Sequence, residues 1–380
     1  MNLYRSISEM NDLEFGRFMV SDLEARFDVD LFSIIEDRSK SLEDIYSEVS
    51  KALKEAVFKF HEDKGHQDWI RERPVKSIGN PGLFDPVPGF FMSPQVANDL
   101  TELRGEDIKN EMRQSQVYMS KMLDADSYQS AASYLFSAGY LAISAEGAQA
   151  YIDGIVEGLS ILKAVSFSLA VITFSEMLEV LIPFIIIFPF IYPFTRPAHL
   201  LGLVINRTEH NFVAKDYKNT AGDLYMNTGK MTSFMKDHEK LGQVKPDFIQ
   251  IHKMMDWLFD DQVQYGVFGG YYFAEKRSGA WVGSDGAMIL SALDNSVKFA
   301  HEFAVPYSKS NGTNVEFMSS DDNRNANSVF KGLRKHQAVT KTLYQSPYVL
   351  TSSINSKHHQ SVALIASITD ENSELNNSSI

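Results

Sequence analysis

A chain of 380 residues is long enough for two domains, or for one elongated helical body with a second domain attached. With 44% hydrophobic and 22% charged residues the composition excludes global disorder, and the net charge of −13 argues against nucleic acid as a partner, because phosphates require a basic surface. The absence of cysteine excludes a disulfide framework, a thiol nucleophile and a thiolate metal site.

The first half of the sequence predicts helices, and we expect a helical domain over residues 1–197. Its clearest helix has Ser41 as N-cap and should end near Gly65, where glycine permits a left-handed cap. A Pro/Gly-rich break follows at residues 74–94. The apolar face of this helix has residues spaced mostly by four: Ile45, Val49, Leu53, Val57 and Phe60.

A long apolar stretch, residues 159–194, is the strongest signal in the sequence. Only Lys163, Glu176 and Glu179 carry charge within it. A membrane-spanning helix needs about 20 apolar residues, which this stretch exceeds, so we predict that it inserts into a membrane. The residues predicted to enter the bilayer are Ile161, Val171, Glu176, Glu179, Ile186, Phe188 and Phe190.

The arrangement of this stretch has three interpretations. Two apolar runs, 159–174 and 180–194, flank Glu176 and Glu179, which share one face of a helix. The pattern fits a hairpin with the glutamates near its tip, or one tilted span whose carboxylates face water or the interior of a bundle. It also fits a central helix buried on all sides within a helical body. The sequence leaves all three open.

The second half of the sequence predicts strands. Short β-prone runs at 203–205, 270–274, 280–282 and 362–366 are bounded by Gly, Asn, Asp and Ser. Their spacing predicts a β-sandwich over residues 198–370, followed by a polar tail at residues 371–380. The expected fold class is therefore α+β, with an N-terminal helical bundle that carries a long apolar hairpin or span and a C-terminal β-sandwich.

Four segments of this half resemble, in matching order, the sandwich of actinoporins, the sea-anemone cytolysins. VINRT at 204–208 resembles the opening strand and its turn, and GVFGGYY at 266–272 resembles the glycine-rich central strand. FAVPY at 303–307 is similar to the Phe-Ser-Val-Pro-Tyr segment of the family, and LYQSPY at 343–348 resembles the tyrosine-rich segment that follows. The helical first half is similar to helical pore-forming toxins that hide an apolar hairpin.

The resemblance implies a lipid-binding site at Pro306, Tyr307, Tyr344 and Tyr348. In the family, the corresponding proline and tyrosines help to bind the choline headgroup of sphingomyelin. The chemistry is consistent, because a quaternary ammonium on an aromatic face gains about 0.5–2 kcal/mol per contact.

Two departures from the family pattern widen the range of partners. Ala304 stands where the family has serine, and SKSNGT at 308–313 replaces an aromatic-rich loop. A phosphocholine-type headgroup, a glycan and a protein receptor therefore all stay open as partners of the sandwich.

No residue pattern indicates catalysis. His61 and His66 are five apart, whereas two zinc ligands on one helical face are four apart, so we interpret them as part of a solvated helix end. The oxygen-rich run at 320–323 lacks the spacing of a calcium loop. We therefore expect no enzymatic activity, no cofactor and no metal site.

The leading hypothesis is a cytolytic, pore-forming toxin. Its soluble form would bind a target-cell membrane through the sandwich, oligomerise with copies of itself, with or without a second toxin component, and insert residues 159–194. We expect secretion without a recognisable signal peptide, since the N-terminus lacks an apolar core and a small-residue cleavage site. The alternatives are a resident membrane-anchored adhesion or signalling protein and a soluble binding module whose apolar segment is core.

We predict that Ile186→Asp abolishes membrane permeabilisation and spares the first binding of the sandwich. A charge at bilayer depth costs about 2.5–3.5 kcal/mol on insertion scales. Dye release from loaded liposomes measures permeabilisation. Leakage at the wild-type rate by a folded Ile186→Asp variant would contradict insertion at this position.

Overall fold

The structure is a computed structural model, and it describes most of the chain outside the middle. The described residues are 7–40, 42–66, 89–92, 94–126, 130, 140–142, 185, 198–208, 210, 212–221, 223–226, 229–230, 253–255, 263–265, 267–276, 283–292 and 294–372. The chain divides into two compact units. The first comprises Met1–Pro81 and Asn110–Arg196, and the second comprises Gly82–Lys109 and Pro197–Ile380.

Helices concentrate in the first third of the chain and strands in the second half, so the predicted α+β class is confirmed. Within the described residues the helices are α1 (Asp12–Phe27), α2 (Phe32–Ile35), α3 (Leu42–Asp63), α4 (Pro94–Glu102), α5 (Glu106–Met122) and α6 (Ala326–Leu333). The strands are β1 (Gly89–Met92), β2 (Tyr140–Ala142), β3 (His199–Arg207), β4 (Phe212–Ala221), β5 (Asp223–Met226), β6 (Gly229–Lys230), β7 (Lys253–Met255), β8 (Val263–Tyr265), β9 (Val267–Glu275), β10 (Ser284–Ala292), β11 (Lys298–Val305), β12 (Gly312–Met318), β13 (Thr340–Gln345), β14 (Tyr348–Ile354) and β15 (Ser361–Asp370).

The first unit is built from amphipathic helices. Helix α1 begins with a capping box, in which the Glu14 backbone N–H donates to Asn11 Oδ1 at 2.9 Å and the Asn11 backbone N–H donates to the Glu14 carboxylate at 2.9 Å. Helices α1 and α3 meet through the edge-to-face rings of Phe27 and Phe60, with centroids 5.3 Å apart. The predicted apolar face of α3 is confirmed, since four of its five members are fully buried: Ile45, Val49, Leu53 and Val57.

The predicted apolar stretch, residues 159–194, lies outside the described residues except for Ile185, which is buried. Its interpretation as a hairpin, a span or a core helix therefore stays a prediction. In the part of the chain that the structure describes, no helix combines the length and the apolar character that crossing a membrane requires.

Among the described residues, the second unit contains two larger β-sheets and a separate antiparallel pair, β7 with β8. The larger sheet has the strand order β13-β14-β15-β3-β9-β1, with β5 also paired to β9, and the smaller sheet has the order β12-β11-β10-β4. Strand pairs within these orders are antiparallel except for β15 and β3, which run parallel with Ser361 opposite His199. The second unit also takes in β1 and α4, from a segment that the sequence analysis assigns to the helical half.

The two sheets pack face to face around the side chain of Tyr272. Its hydroxyl lies 2.8 Å from His301 Nε2, and its ring centroid lies 5.4 Å from that of Phe303. The ring crosses Gly202 of the neighbouring strand β3, where any Cβ atom would overlap it. These contacts join β9 of the larger sheet to β11 of the smaller one, which confirms the predicted β-sandwich.

Helix α6 covers the outer face of the smaller sheet. Asn325 caps it by accepting a hydrogen bond from the Ser328 backbone N–H at 2.9 Å. Its apolar side packs on strands β10, β11 and β12 in one buried cluster, whose members are Ile289, Ala300, Met318, Ala326, Val329 and Leu333. A 3₁₀ turn at Arg334–His336 continues the helix over the same face.

Two buried carboxylates lie next to this turn. Glu302 is fully buried and accepts a hydrogen bond from the Gln337 side chain, and Asp285 pairs with Arg334 at 2.9 Å. Burial raises the pKa of Glu302 to about 8, and burial also raises the pKa of Asp285. Nearby His301 shows the converse, because burial lowers its pKa to about 3 and keeps the imidazole neutral.

We predict that the sandwich loses stability as pH rises from about 6.5 to about 8.5. The pKa of Glu302 is higher in the folded state than its ordinary 4.5, so its stabilising effect is complete below 4.5 and disappears as pH rises through 8. The loss over this interval is on the order of 2 kcal/mol, and His301 stays neutral throughout it. Urea denaturation at both pH values measures the loss.

The Glu302→Gln variant should lose most of this pH dependence, because its amide does not ionise. The matched control is Glu371→Gln, which neutralises an exposed carboxylate and should keep the wild-type slope. An unchanged slope in Glu302→Gln would show that the buried carboxyl is not the titrating group.

Candidate functional site

The loop that follows β11 carries the first two residues of the predicted lipid site. Pro306 lies so close to Gly283 that a side chain at Gly283 would overlap its backbone. Tyr307 is 37% exposed, and the Lys276 ammonium lies over its ring at 5.1 Å from the centroid. A cation therefore already occupies one face of this ring.

The hairpin of β13 and β14 carries the other two predicted residues. Gln345 pairs with Tyr348, and only two residues connect the strands. Tyr344 is 74% exposed, the largest exposure among the large apolar side chains of the described residues. Tyr344 and Tyr348 belong to adjacent pairs of the antiparallel ladder, so their side chains leave on opposite faces of the hairpin.

Tyr348 takes part in a polar cluster centred on His210. The Tyr348 hydroxyl lies 2.7 Å from His210 Nε2, and Asp294 and Ser296 each place an oxygen 3.2 Å from His210 Nδ1. The hydrogen bonds from Ser296 are the main cause that lowers the pKa of Asp294, which keeps this carboxylate ionised. The cluster ties the hairpin tip to the chain after β3 and to the turn between β10 and β11.

The structure does not bring the four predicted residues together. Tyr348 pairs with Asp370, the last residue of β15, whereas the loop of Pro306 and Tyr307 ends at Asn311, whose backbone N–H donates to Lys357 O just before β15 begins. The two pairs therefore lie at opposite ends of the sandwich, separated by about 30 Å for ten residues of strand. The four residues therefore do not form one joint site in this structure, and a binding role for either pair stays a prediction.

At the two places where the sequence departs from the actinoporin pattern, Ala304 and residues 308–313, the structure shows which side chains are exposed. Ala304 is 1% exposed and cannot present a polar group to a ligand. Asn311 is also buried, because its side-chain amide donates to the backbone carbonyls of Ser356 and His359. Only the stretch between them, residues 307–310, is exposed.

The residues predicted for membrane insertion lie outside the described residues. They are Ile161, Val171, Glu176, Glu179, Ile186, Phe188 and Phe190. Across the described ranges, no group of three or more His, Cys, Asp or Glu side chains is placed to hold a metal ion.

The sequence analysis missed the His210 cluster. His210 and Tyr348 are 138 residues apart, and no spacing pattern joins them. Only the pairing of β3 with β15 and of β15 with β14 places both at one end of the larger sheet. The sequence signal for His210 is limited to its position in the polar turn after the β-prone run at 203–205.

Comparison with known proteins gives weak likenesses. No protein-family profile and no curated protein matches the chain. Among solved structures, the lipid-binding protein Nakanori is similar at 14% identity and a TM-score of 0.32, over 46% of this chain and 73% of that chain. The Xerocomus chrysenteron lectin XCL is similar at 6% identity and a TM-score of 0.27, over 46% of this chain and 100% of that chain.

A third structure, IP-1A from Alcaligenes faecalis, is similar at 11% identity and a TM-score of 0.26, over 46% of this chain and 92% of that chain. The lipid-binding and lectin matches fall on the C-terminal half. At these TM-scores no argument about what this chain binds rests on them.

We predict that Tyr348→Phe destabilises the sandwich by about 0.5–1.5 kcal/mol, because it removes the hydroxyl that bonds His210. The matched control, Tyr344→Phe, removes a hydroxyl from an exposed ring and should change stability by less than about 0.5 kcal/mol. Urea denaturation measures both. Equal losses in the two variants would rule out a structural role for the His210 contact.

Proposed function

We propose that this chain is a pore-forming cytolytic protein that recognises a target membrane through its sandwich and inserts its apolar segment on oligomerisation. The observation that carries the recognition step is Tyr344, an aromatic side chain 74% exposed at the tip of a hairpin. Tyrosine suits the boundary between water and lipid, because its ring is apolar and its hydroxyl is polar.

The hairpin end favours recognition more than the loop of Tyr307 does. A choline headgroup binds an aromatic face as a cation, and Lys276 already covers one face of the Tyr307 ring. Tyr344 is twice as exposed as Tyr307. We therefore assign the membrane-facing end to the tip of β13 and β14, with Tyr348 holding that tip through His210.

The negative net charge of the chain favours a zwitterionic or neutral headgroup over an anionic one. At a net charge of −13 the protein gains no general attraction to anionic lipids. A zwitterionic choline headgroup or a neutral glycan needs no such attraction, and each offers a surface that packs on an aromatic ring.

The apolar stretch at residues 159–194 supports the insertion step. It carries three charged residues over a length that exceeds a single span. A soluble chain can deliver such a segment only if it is covered until the membrane is reached, and a helical domain of this size offers that cover. The same proposal includes secretion and self-assembly on the membrane, with or without a second toxin component.

We predict that Tyr344→Ala weakens binding to vesicles and, in proportion, slows dye release. The loss of one aromatic contact of about 0.5–2 kcal/mol corresponds to roughly 2- to 30-fold in affinity. Vesicles of phosphatidylcholine with sphingomyelin and vesicles that carry a glycolipid, each tested by sedimentation, distinguish the two headgroup classes.

Tyr307→Ala is the matched control, because it removes the same ring at the opposite end of the sandwich. It should leave binding unchanged. A stronger loss in Tyr307→Ala than in Tyr344→Ala would reverse the assignment of the membrane-facing end. A wild-type protein that cannot be purified without detergent would instead support a resident membrane protein.

A further inference from the structure

Two histidines converge at the C-terminal end of α3. The helix ends at Asp63, and Gly65 takes a φ of 71°, which turns the chain back so that the His66 backbone N–H donates to the His61 carbonyl at 2.9 Å. The two imidazoles meet through Nδ1 of His61 and Nδ1 of His66, 3.0 Å apart. The interpretation of this pair as a solvated helix end is wrong for His61, which is fully buried.

The tautomer of His61 follows from its second contact. His61 Nε2 lies 3.1 Å from the carbonyl oxygen of Leu123, just after α5. A carbonyl only accepts, so Nε2 carries the proton and donates, and the lone pair of Nδ1 is directed at His66. Metal-binding histidines have this arrangement, in which the second ring nitrogen donates to a backbone carbonyl and fixes the orientation of the ring.

We propose that His61 and His66 form a binding site for a divalent transition-metal ion of the Zn²⁺ class, with water completing its coordination. Two nitrogens bound to one ion at about 2.0–2.1 Å lie roughly 3.0–3.4 Å apart at the angles that such ions adopt, so the pair needs little movement. The described residues supply no third protein ligand, so the ion binds reversibly and stays open to exchange.

The surroundings of the pair favour a cation. The C-terminal end of a helix carries a partial negative charge, and Glu62 and Asp63 are exposed on the last turn of α3. From the end of α5, the negative charge of Asp124 favours a positive charge at His61. The opposing charge is Lys64, whose ammonium lies over the Phe60 ring at 5.5 Å.

Because His61 Nδ1 carries the lone pair, His66 Nδ1 carries the proton of the 3.0 Å contact. This proton must move to Nε2 of His66 or leave when an ion binds, so binding is coupled to a change of the His66 tautomer. A bound ion would fix His66 to a ring that is itself hydrogen-bonded to Leu123. The site therefore connects the end of α3 to the end of α5 within the first unit.

The test uses the full-length protein with Zn²⁺ as the probe. We expect Zn²⁺ to raise the melting temperature and EDTA to reverse the rise, since an ion that binds only the folded state stabilises it. In His66→Ala, affinity by calorimetry should fall by at least about ten-fold, the loss typical even for an outer-shell partner. His66 is preferred to His61 for substitution because it is only half-buried.

The control is the double variant His358→Ala/His359→Ala, which removes an exposed pair of adjacent histidines in the second unit. It should keep the wild-type response to Zn²⁺. The proposal is overturned if Zn²⁺ has no effect on the wild type, if the control loses the response, or if His66→Ala lowers the melting temperature but keeps its affinity for Zn²⁺. The last result would mean that the pair is a hydrogen bond only.

Discussion

The contact of Tyr272 with His301 joins the two larger sheets inside the buried core of the sandwich. Burial raises the pKa of the Tyr272 phenol well above its ordinary value and lowers that of the His301 imidazole to about 3, so both rings stay neutral. A neutral phenol donates to a neutral imidazole nitrogen, and this hydrogen bond offsets the cost of removing both groups from water. Because the ring lies across Gly202, the same contact sets the spacing of three strands.

The register that follows from this core decides which surface groups can act together. The parallel pairing of β15 with β3 and the antiparallel pairing with β14 leave the Tyr307 loop at one end of the sandwich and the Tyr344 hairpin at the other. A ligand the size of one headgroup reaches one end only. The chemistry of the two ends also differs. Lys276 covers one face of the Tyr307 ring at the first end, and the His210 cluster supports the hairpin of Tyr344 at the other.

Local patterns in the sequence predicted local structure well. The four-residue spacing from Ile45 to Val57 identified the buried face of α3, and Gly65 marked its end, because both features depend on neighbouring residues. Such patterns do not predict which residues distant in sequence lie close together in the fold. The separation of Tyr307 from Tyr344 depends on strand register, and the approach of His66 to His61 depends on a single glycine with positive φ. A rule based on helical spacing excludes that pair because it assumes that the helix continues.

The parallel pair β3–β15 has a consequence for how the chain is made. Its two strands are about 160 residues apart in sequence, so the larger sheet cannot close until the chain has left the ribosome as far as β15. Residues 159–194 emerge well before that moment. A chain that stops short of Ser361 would expose both β3 and β14 as open edges, which are templates for pairing with other chains. Premature termination would therefore yield an aggregation-prone product that contains the apolar segment without a completed sandwich.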